Sequence, residues 1–311
     1  MSRVIGILSG KGGVGKTTLV ANLGATLTNE FKKNVIVVDS NIKTSHLGLH
    51  LGLYEDLPVT LKDVLSRKTS VNYAVYIHPQ TGIRLLPAPL NARDVILDRD
   101  RFQSVVDQLK RNYNIALIDI APGLGRETII ASSVIDEGII VTTPDLPAVT
   151  DAIKTIDLLK RLHKEVSGIV INRKKNEKYE LSVEEICSNV ECDLLSVIPE
   201  DKKVPESISK GIPLVIMDKN SLASNAMKIL AGKIINENYE PQGFFYSLKK
   251  LFGLIDGISE YKVTKESFSR KANILEERED VEKIKEEVLR EIKDELKSAV
   301  KQKLRQKMRQ K

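Results

Sequence analysis

The chain has 311 residues, of which 41% are hydrophobic and 29% are charged. This length and composition predict a soluble protein with one large α/β domain and room for further elements. The net charge of +6 is modest for this length, so it neither identifies a nucleic-acid-binding protein nor opposes contact with an anionic surface. The pair Cys187 and Cys192 has C-x4-C spacing with no histidine nearby, which argues against a zinc site or a redox Cys-x-x-Cys site.

The sequence carries no sign of a secretory or membrane-spanning segment. Residues Met1–Leu8 lead directly into a strand-like segment without an apolar core and cleavage site, so we expect no secretory signal. No run reaches about 18 consecutive apolar residues, the length that a spanning helix needs. We therefore expect a cytoplasmic protein.

Short apolar runs alternate with helical patterns from the start of the chain to about residue 236. Most runs are continuously apolar, as strands are when both faces of a parallel sheet are covered. The alternation predicts a doubly wound α/β fold with a mostly parallel sheet. The predicted strands are Val4–Leu8, Val35–Val38, Ile83–Leu86, Ile115–Ile118, Gly138–Thr142, Gly168–Ile171 and Leu194–Val197. Helices are predicted at Lys16–Asn29, Arg101–Lys110 and Pro147–His163.

The pattern changes near Pro241, which divides the chain into three predicted parts. Residues 1–236 form the α/β domain, residues 237–260 a linker and a short amphipathic helix, and residues 261–311 a long charged helical tail with a basic end. No internal repeat is visible.

The segment Gly10–Thr17 matches G-x-x-x-x-G-K-[ST] between a predicted strand and a predicted helix, the context that a phosphate-binding P-loop requires. Its members are Gly10, Lys11, Gly12, Gly13, Val14, Gly15, Lys16 and Thr17, with Thr18 next to them. Glycines let backbone N–H groups close around phosphate oxygens, and the helix that follows points its positive end at the same anion. Lys16 is expected to neutralise the β and γ phosphates of ATP, and Thr17 to bind Mg²⁺.

The extra lysine in Lys11-Gly12-Gly13-Val14-Gly15-Lys16-Thr17-Thr18 resembles the deviant Walker A ATPases of the MinD/ParA class. Val37-Val38-Asp39, Leu117 to Gly123 and Val141 to Asp145 resemble further family segments. The resemblance covers about residues 2–236, and its order and spacing are most similar to MinD-like proteins. It implies an ATP-dependent homodimer in which Lys11 contacts phosphate in the partner's site.

Other residues are candidates for the same site. Asp119 ends a predicted strand, where it would bind Mg²⁺, and the N–H of Gly123 could sense the γ-phosphate. The resemblance implies that Asn172 reads adenine by its amide. It also implies that Arg173, Pro199, Glu200 and Asp201 lie in base-binding segments, where ordinary turn or loop chemistry is the alternative.

Asn41 departs from the family pattern. The family has Asp-x-Asp in switch I, but this chain has Asp39-Ser40-Asn41. Asp39 keeps the first acid, a candidate for catalysis and for Mg²⁺ binding. An amide cannot accept a proton, although it can orient water. Two readings stay open: slow hydrolysis with a long-lived ATP dimer, or an alternative water-orienting residue with normal turnover.

The segment Phe244–Ile255 places apolar side chains on one helical face and Lys249 and Lys250 on another. This pattern is typical of a helix lying in an anionic membrane surface and resembles the membrane-targeting tail of the MinD class. The alternative is packing on the protein's own core. From Lys297 to Lys311 the tail has basic residues and no acid, so it could bind anionic lipid, DNA or an acidic protein, form a coiled coil, or remain solvated.

The leading interpretation is a MinD-like ATPase switch. In it, ATP and Mg²⁺ drive dimerisation, reversible peripheral membrane association and recruitment of an unidentified protein partner. Such a switch positions that partner, at a division site or elsewhere in the cell. The alternatives are a ParA-like partition ATPase that binds DNA through its basic tail, a scaffold with an ATP-stabilised dimer and no membrane contact, and a metal-cluster carrier. The C-x4-C pair speaks against the last, and the amphipathic segment favours the membrane switch over the DNA-binding one.

Overall fold

The computed structural model describes residues 2–42, 45–53, 57–89, 97–175 and 177–241. Eight strands lie in these residues: β1 (Arg3–Leu8), β2 (Val35–Asp39), β3 (Tyr76–Ile77), β4 (Arg84–Leu86), β5 (Ile115–Asp119), β6 (Glu137–Thr142), β7 (Glu165–Lys174) and β8 (Leu194–Pro199). They form one sheet in the order β3-β4-β2-β5-β1-β6-β7-β8. All neighbouring strands are parallel except β3 and β4, which are antiparallel.

Helices connect these strands across both faces of the sheet. They are α1 (Lys16–Asn29), α2 (Leu47–His50), α3 (Leu61–Leu65), α4 (Arg99–Asn112), α5 (Arg126–Val134), α6 (Leu146–Arg161), α7 (Val183–Asn189), α8 (Val204–Ser209), α9 (Leu214–Met217) and α10 (Leu222–Ile234). A short 3-10 turn spans Val71–Ala74.

Strand β1 shows why the strands are continuously apolar. Val4 and Leu8 belong to the core that packs against α3–α7, whereas Ile5 and Ile7 belong to the core that packs against α1, α2, α9 and α10. Because successive side chains of a strand point to opposite faces, both sets are buried. The chain crosses from one side of β1 to the other between β5 and β6. In a doubly wound sheet, ligands bind at the carboxyl ends of the strands beside such a crossover.

The predicted doubly wound α/β fold is confirmed. Each of the seven predicted strands is present, as are the three predicted helices, with ends that differ by a few residues. The antiparallel edge strand β3 was not predicted because two residues carry no readable periodicity. Strand β7 runs three residues beyond its predicted end at Ile171, because polar residues after the apolar run still lie in the strand.

The C-terminal end of the described chain packs on the core after α10. The ring of Tyr239 lies 6.1 Å from that of Phe31 and 5.7 Å from the ammonium of the buried Lys228. Within the described residues, no helix has the length and apolarity to span a bilayer. The predicted helix at Phe244–Ile255 and the tail at 261–311 lie outside the described residues, so the three-part division of the chain stays a prediction.

Candidate nucleotide site

The glycine-rich segment forms the loop between β1 and α1, at the carboxyl end of the central strand. Gly13 and Gly15 have φ angles of 82° and 94°, a left-handed conformation that glycine adopts without a Cβ penalty. Gly15 is the N-cap of α1, which begins at Lys16 as predicted. The exposed N–H groups and positive end of α1 therefore face the loop, an arrangement that favours a bound anion.

Two carboxylates and one ammonium meet beside this loop. Asp39 and Asp119 are paired in the register of the neighbouring strands β2 and β5, and both are buried. Burial, and then the charge of Asp119, raises the pKa of Asp39 to about 7. Burial likewise raises the pKa of Asp119, although Lys16 and Thr17 counteract it, and burial lowers the pKa of the Lys16 ammonium. When both carboxylates are ionised, the pair carries more negative charge than Lys16 can balance.

This excess of buried negative charge fits a divalent cation. The hydroxyl of Thr17 donates to Oδ2 of Asp119 at 2.6 Å, so two of the three side chains expected to hold Mg²⁺ already meet. The oxygen donors are of the type that Mg²⁺ prefers. The residues present therefore fit the ion that the P-loop motif implies.

Asp39 also accepts hydrogen bonds from four residues that follow β2. Its Oδ1 accepts from the N–H of Asn41 at 3.0 Å. Its Oδ2 accepts from the hydroxyl of Ser45 at 2.9 Å and from the N–H groups of His46 and Leu47 at 3.2 and 3.1 Å. The carboxylate therefore caps the start of α2, and a direct contact with a cation would compete with these hydrogen bonds. Asn41 itself is half-buried at the entrance of this segment.

Gly123, which follows β5, has a left-handed conformation with φ of 84°. Its N–H was expected to be available to a γ-phosphate. In the structure this N–H donates to the carbonyl of Ser9 at 3.0 Å. Contact with a phosphate would require that hydrogen bond to open.

The base-binding candidates come together on the other side of the loop. A cavity of about 230 Å³ lies between the P-loop and the ends of β7 and β8. Its lining includes the candidates Gly13, Gly15, Thr18, Asn172, Arg173, Pro199, Glu200 and Asp201. The cavity is bounded at its rear by apolar side chains that include Ile198 and Met227. A pocket with apolar walls and a few polar groups is the usual form of a small-molecule site.

Two of these residues contact the P-loop directly. The amide nitrogen of Asn172 donates to the carbonyl of Val14 at 2.8 Å. Nη1 of Arg173 donates to the carbonyl of Gly13 at 3.2 Å. The guanidinium of Arg173 also makes a two-point ion pair with Glu200, at 2.8 and 3.2 Å.

A second cavity, of about 360 Å³, lies between the P-loop and the residues that follow β6 and β7. Its lining contains residues to which the sequence assigned no role, among them Thr143, Asp145 and Tyr179. Asp145 makes an ion pair with Lys11 at 3.3 Å and accepts from the N–H of Ala148 at 3.1 Å as the N-cap of α6. Asp145 followed by Leu-Pro is a pattern that predicts the start of a helix. Its contact with Lys11 could not be predicted, because the two residues are far apart in the sequence.

Comparison with known proteins agrees with this geometry. Residues 1–235 match the ParA family model described as "NUBPL iron-transfer P-loop NTPase". An "uncharacterized ATP-binding protein" of Methanocaldococcus jannaschii is 38% identical over 243 residues, which are 78% of this chain and 91% of that protein.

Solved structures are similar as well. "The septum site-determining protein MinD complexed with Mg-ADP" from Pyrococcus horikoshii has a TM-score of 0.70 and 32% identity, over 75% of this chain and 96% of its own. The "MinC:MinD cell division protein complex" of Aquifex aeolicus has a TM-score of 0.71 and 30% identity, over 78% of this chain and 99% of its own. The P-loop with its extra lysine, the doubly wound sheet and these matches lead to one conclusion: the chain belongs to the ParA/MinD family of P-loop ATPases.

Proposed function

We propose that this ATPase is a dimerising switch: ATP and Mg²⁺ drive two copies together, and the dimer associates with an anionic membrane surface and positions a protein partner. The observation that carries the proposal is the position of Lys11. Its side chain is 47% exposed and lines the cavity of about 360 Å³. It does not lie among the buried charges of Lys16, Asp39 and Asp119.

The nucleotide would lie across the P-loop, with its phosphates on the N–H groups of Gly12–Gly15 and its base in the cavity near Pro199. Lys16 would neutralise phosphate charge, and Thr17 and Asp119 would hold Mg²⁺ with Asp39 close by. When bound, Mg²⁺ neutralises the charge that develops on the transferred phosphoryl group. The similar protein from Pyrococcus horikoshii is described as complexed with Mg-ADP, which supports this assignment.

Dimerisation is supported by the apolar character of the surface around Lys11. Leu124, Leu146 and Tyr179 have exposed fractions of 43%, 66% and 77%. They follow the carboxyl ends of β5, β6 and β7, the edge of the sheet that bears the P-loop. Exposed apolar side chains grouped around a polar site are typical of an interface. A second copy would cover them and bring its own Lys11 to the nucleotide.

Hydrolysis is proposed to be slow. Asn41 stands where the family has the second acid of switch I, and an amide cannot take a proton from the attacking water. It can still orient that water by hydrogen bonds, so some turnover is expected. A slow step would prolong the ATP-bound dimer.

Membrane association is proposed from Phe244–Ile255, which lies outside the described residues. One short amphipathic helix binds lipid weakly, but two helices joined in a dimer bind far more tightly because the second contact is intramolecular. Nucleotide state would then control membrane residence. A protein partner is proposed because the similar Aquifex aeolicus MinD was solved in a complex with MinC.

The first test is the mass of the full-length protein in solution with ATP, with ADP and without nucleotide, by analytical ultracentrifugation. We expect a dimer with ATP alone, lost in Lys11→Ala. The matched control is Lys160→Ala, which removes another exposed lysine from an ion pair, with Glu191. A monomer under all three conditions, or a dimer indifferent to Lys11, would refute the dimer switch.

The second test is co-sedimentation with anionic liposomes and, separately, with DNA. We expect ATP to increase pelleting with liposomes, and Phe252→Glu to abolish that increase, while Phe268→Glu, outside the amphipathic segment, leaves it. ATP-dependent pelleting with DNA and none with liposomes would favour the partition ATPase instead. An ATP dimer that pellets with neither would favour the soluble scaffold.

A further inference from the structure

The end of β7 carries a bulge that points two neighbouring side chains in one direction. The pairing of β7 with β8 shifts between Ile171 and Lys174, and Arg173 has a φ of 59°. In a regular strand Asn172 and Arg173 would face opposite sides of the sheet. Bulges are known to redirect side chains beside functional sites. Here both side chains reach the P-loop.

Their contacts are with carbonyl groups of the loop and not with its N–H groups. Asn172 donates to the carbonyl of Val14 at 2.8 Å, and Arg173 to the carbonyl of Gly13 at 3.2 Å. On the other side of the loop, the hydroxyl of Ser9 donates to the carbonyl of Lys11 at 2.7 Å. Three carbonyls of the loop are therefore held by side chains.

Fixing a carbonyl fixes the N–H of the next residue. The C=O and N–H of a trans peptide lie in one plane and point in opposite directions. The N–H of Val14 therefore points away from Arg173, and the N–H of Gly15 points away from Asn172. Among the residues that the structure describes, no acceptor takes a hydrogen bond from either N–H. The N–H groups of Val14 and Gly15 are therefore oriented toward the ligand site before a ligand binds.

We infer that Asn172 and Arg173 are positioning residues of the phosphate site: they hold two loop carbonyls outward so that the N–H groups of Val14 and Gly15 face the phosphates of ATP. This inference deepens the proposed function and rests on it. It differs from the role that the family resemblance implies, in which Asn172 reads the base. Preorganised N–H donors bind an anion without the cost of reorienting the backbone.

Arg173 is itself held in place from the base side. Its two-point ion pair with Glu200 joins the end of β8 to the carbonyl of Gly13 through one guanidinium. A lysine ammonium has no fork and cannot satisfy both partners in the same way. Arg173→Lys should therefore keep only part of the phosphate affinity that Arg173→Ala loses.

The test separates phosphate positioning from base reading by using a ligand without a base. Inorganic tripolyphosphate and ATP, each with Mg²⁺, are titrated as competitors of a fluorescent ATP analogue. The proteins are the full-length wild type, Asn172→Leu, Arg173→Ala, Arg173→Lys and the control Lys160→Ala. Asn172→Leu keeps the approximate shape of the side chain and removes its N–H donor without adding a charge that would repel a phosphate. Thermal unfolding of each protein shows whether the variant is folded.

We expect Asn172→Leu and Arg173→Ala each to weaken the binding of ATP and of tripolyphosphate by the same factor, about three- to tenfold for one lost hydrogen bond. Arg173→Lys should lie between Arg173→Ala and the wild type, and Lys160→Ala should match the wild type. Weaker ATP binding with unchanged tripolyphosphate binding would establish base reading and overturn the inference. So would a wild type that binds ATP but not tripolyphosphate. A folded wild type that does not bind ATP would refute the proposed function itself.

Amide resonances supply a second measurement that needs no nucleotide. If the two side chains orient the loop, the ¹⁵N–¹H signals of Val14 and Gly15 should move in Asn172→Leu and Arg173→Ala in the absence of any ligand. The signals of β3, at the edge of the sheet and four strands away from β1, should stay in place. Unmoved signals at Val14 and Gly15 would overturn the inference even where a variant binds ATP poorly.

Discussion

Lys11 and Asp145 form an ion pair within one chain, with 3.3 Å between Nζ and Oδ1. Both side chains are more than two-fifths exposed, at 47% and 42%, so the pair contributes only about 0.2–1 kcal/mol. In the proposed dimer, a lysine that serves the partner's nucleotide would first have to leave this carboxylate. The ion pair would then compete weakly with dimerisation.

Asp145→Asn tests this competition. Asparagine is also a good N-cap, so α6 should keep its hydrogen bond to the N–H of Ala148 while Lys11 loses its charged partner. We expect the ATP dimer to tighten, by at most about fivefold for each pair released, as measured by sedimentation equilibrium. Asp98→Asn, at the N-cap of α4, is the control for a changed cap. A weaker dimer would show that Asp145 serves the interface instead.

Gly13→Ala and Gly15→Ala form a matched pair in the P-loop. Both glycines have left-handed φ angles, so an alanine at either position is strained by about 1 kcal/mol or more. A Cβ at Gly13 would meet no atom within 4 Å, whereas a Cβ at Gly15 would lie 2.3 Å from Nδ2 of Asn172. We expect calorimetric titration to find a larger loss of ATP affinity in Gly15→Ala. Equal losses would mean that backbone strain, and not the contact with Asn172, limits the loop.

Much of the fold could be predicted from the sequence because its strands are short, continuously apolar and separated by helical patterns. Burial on both faces leaves that signature wherever it occurs, as in Val35–Val38 and Ile115–Ile118. The P-loop could be predicted too, because its spacing is set by the phosphate that such loops bind. The bulge at the end of β7 could not, since it depends on how Asn172 and Arg173 meet a loop about 160 residues earlier in the chain.

The site was harder to predict where one residue contacts several segments. Asp39 was assigned to catalysis and to Mg²⁺ from its place in switch I, but its four hydrogen bonds to residues 41–47 follow from the path of the loop. The role of Asp145 beside Lys11 was missed for the same reason. Sequence spacing identifies residues that share a helix or loop, whereas contacts across strand ends require the sheet order.

The burial of His50 predicts that the protein becomes less stable in acid. Its Nδ1 is buried with no hydrogen-bond partner among the described residues, and burial, with a smaller effect of His46, lowers its pKa to about 4. An unfolded histidine titrates near 6.5, so between these values the unfolded state binds more protons and stability falls as the pH falls. The loss on going from pH 7 to pH 5 should be at most about 2 kcal/mol.

The check is thermal unfolding at pH 7 and pH 5 for the wild type and His50→Gln. The variant does not titrate at this position, so its Tm should drop less between the two pH values. His163→Gln, at an exposed histidine, should drop as much as the wild type. An unchanged drop in His50→Gln would show that this imidazole is hydrated in the folded protein.

Asn41→Asp tests whether switch I limits hydrolysis. The amide of Asn41 can orient water but cannot accept its proton, and a positioned carboxylate contributes about 10²-fold or more when it acts as a general base. Because Asn41 is half-buried and its N–H is bound to Asp39, the substituted carboxylate would stand at the same place in the loop. We expect single-turnover hydrolysis to accelerate at least about tenfold, with ATP affinity little changed.

Asn41→Ala separates the two roles that an amide could have. If Asn41 orients the attacking water, alanine should slow single-turnover hydrolysis below the wild-type rate, while the dimer lifetime in ATP lengthens. If Asn41→Asp is no faster than the wild type, the amide is not what limits turnover, and the slow-switch proposal is wrong even if ATP still drives the dimer. The two variants together distinguish a missing base from a working water-orienting residue.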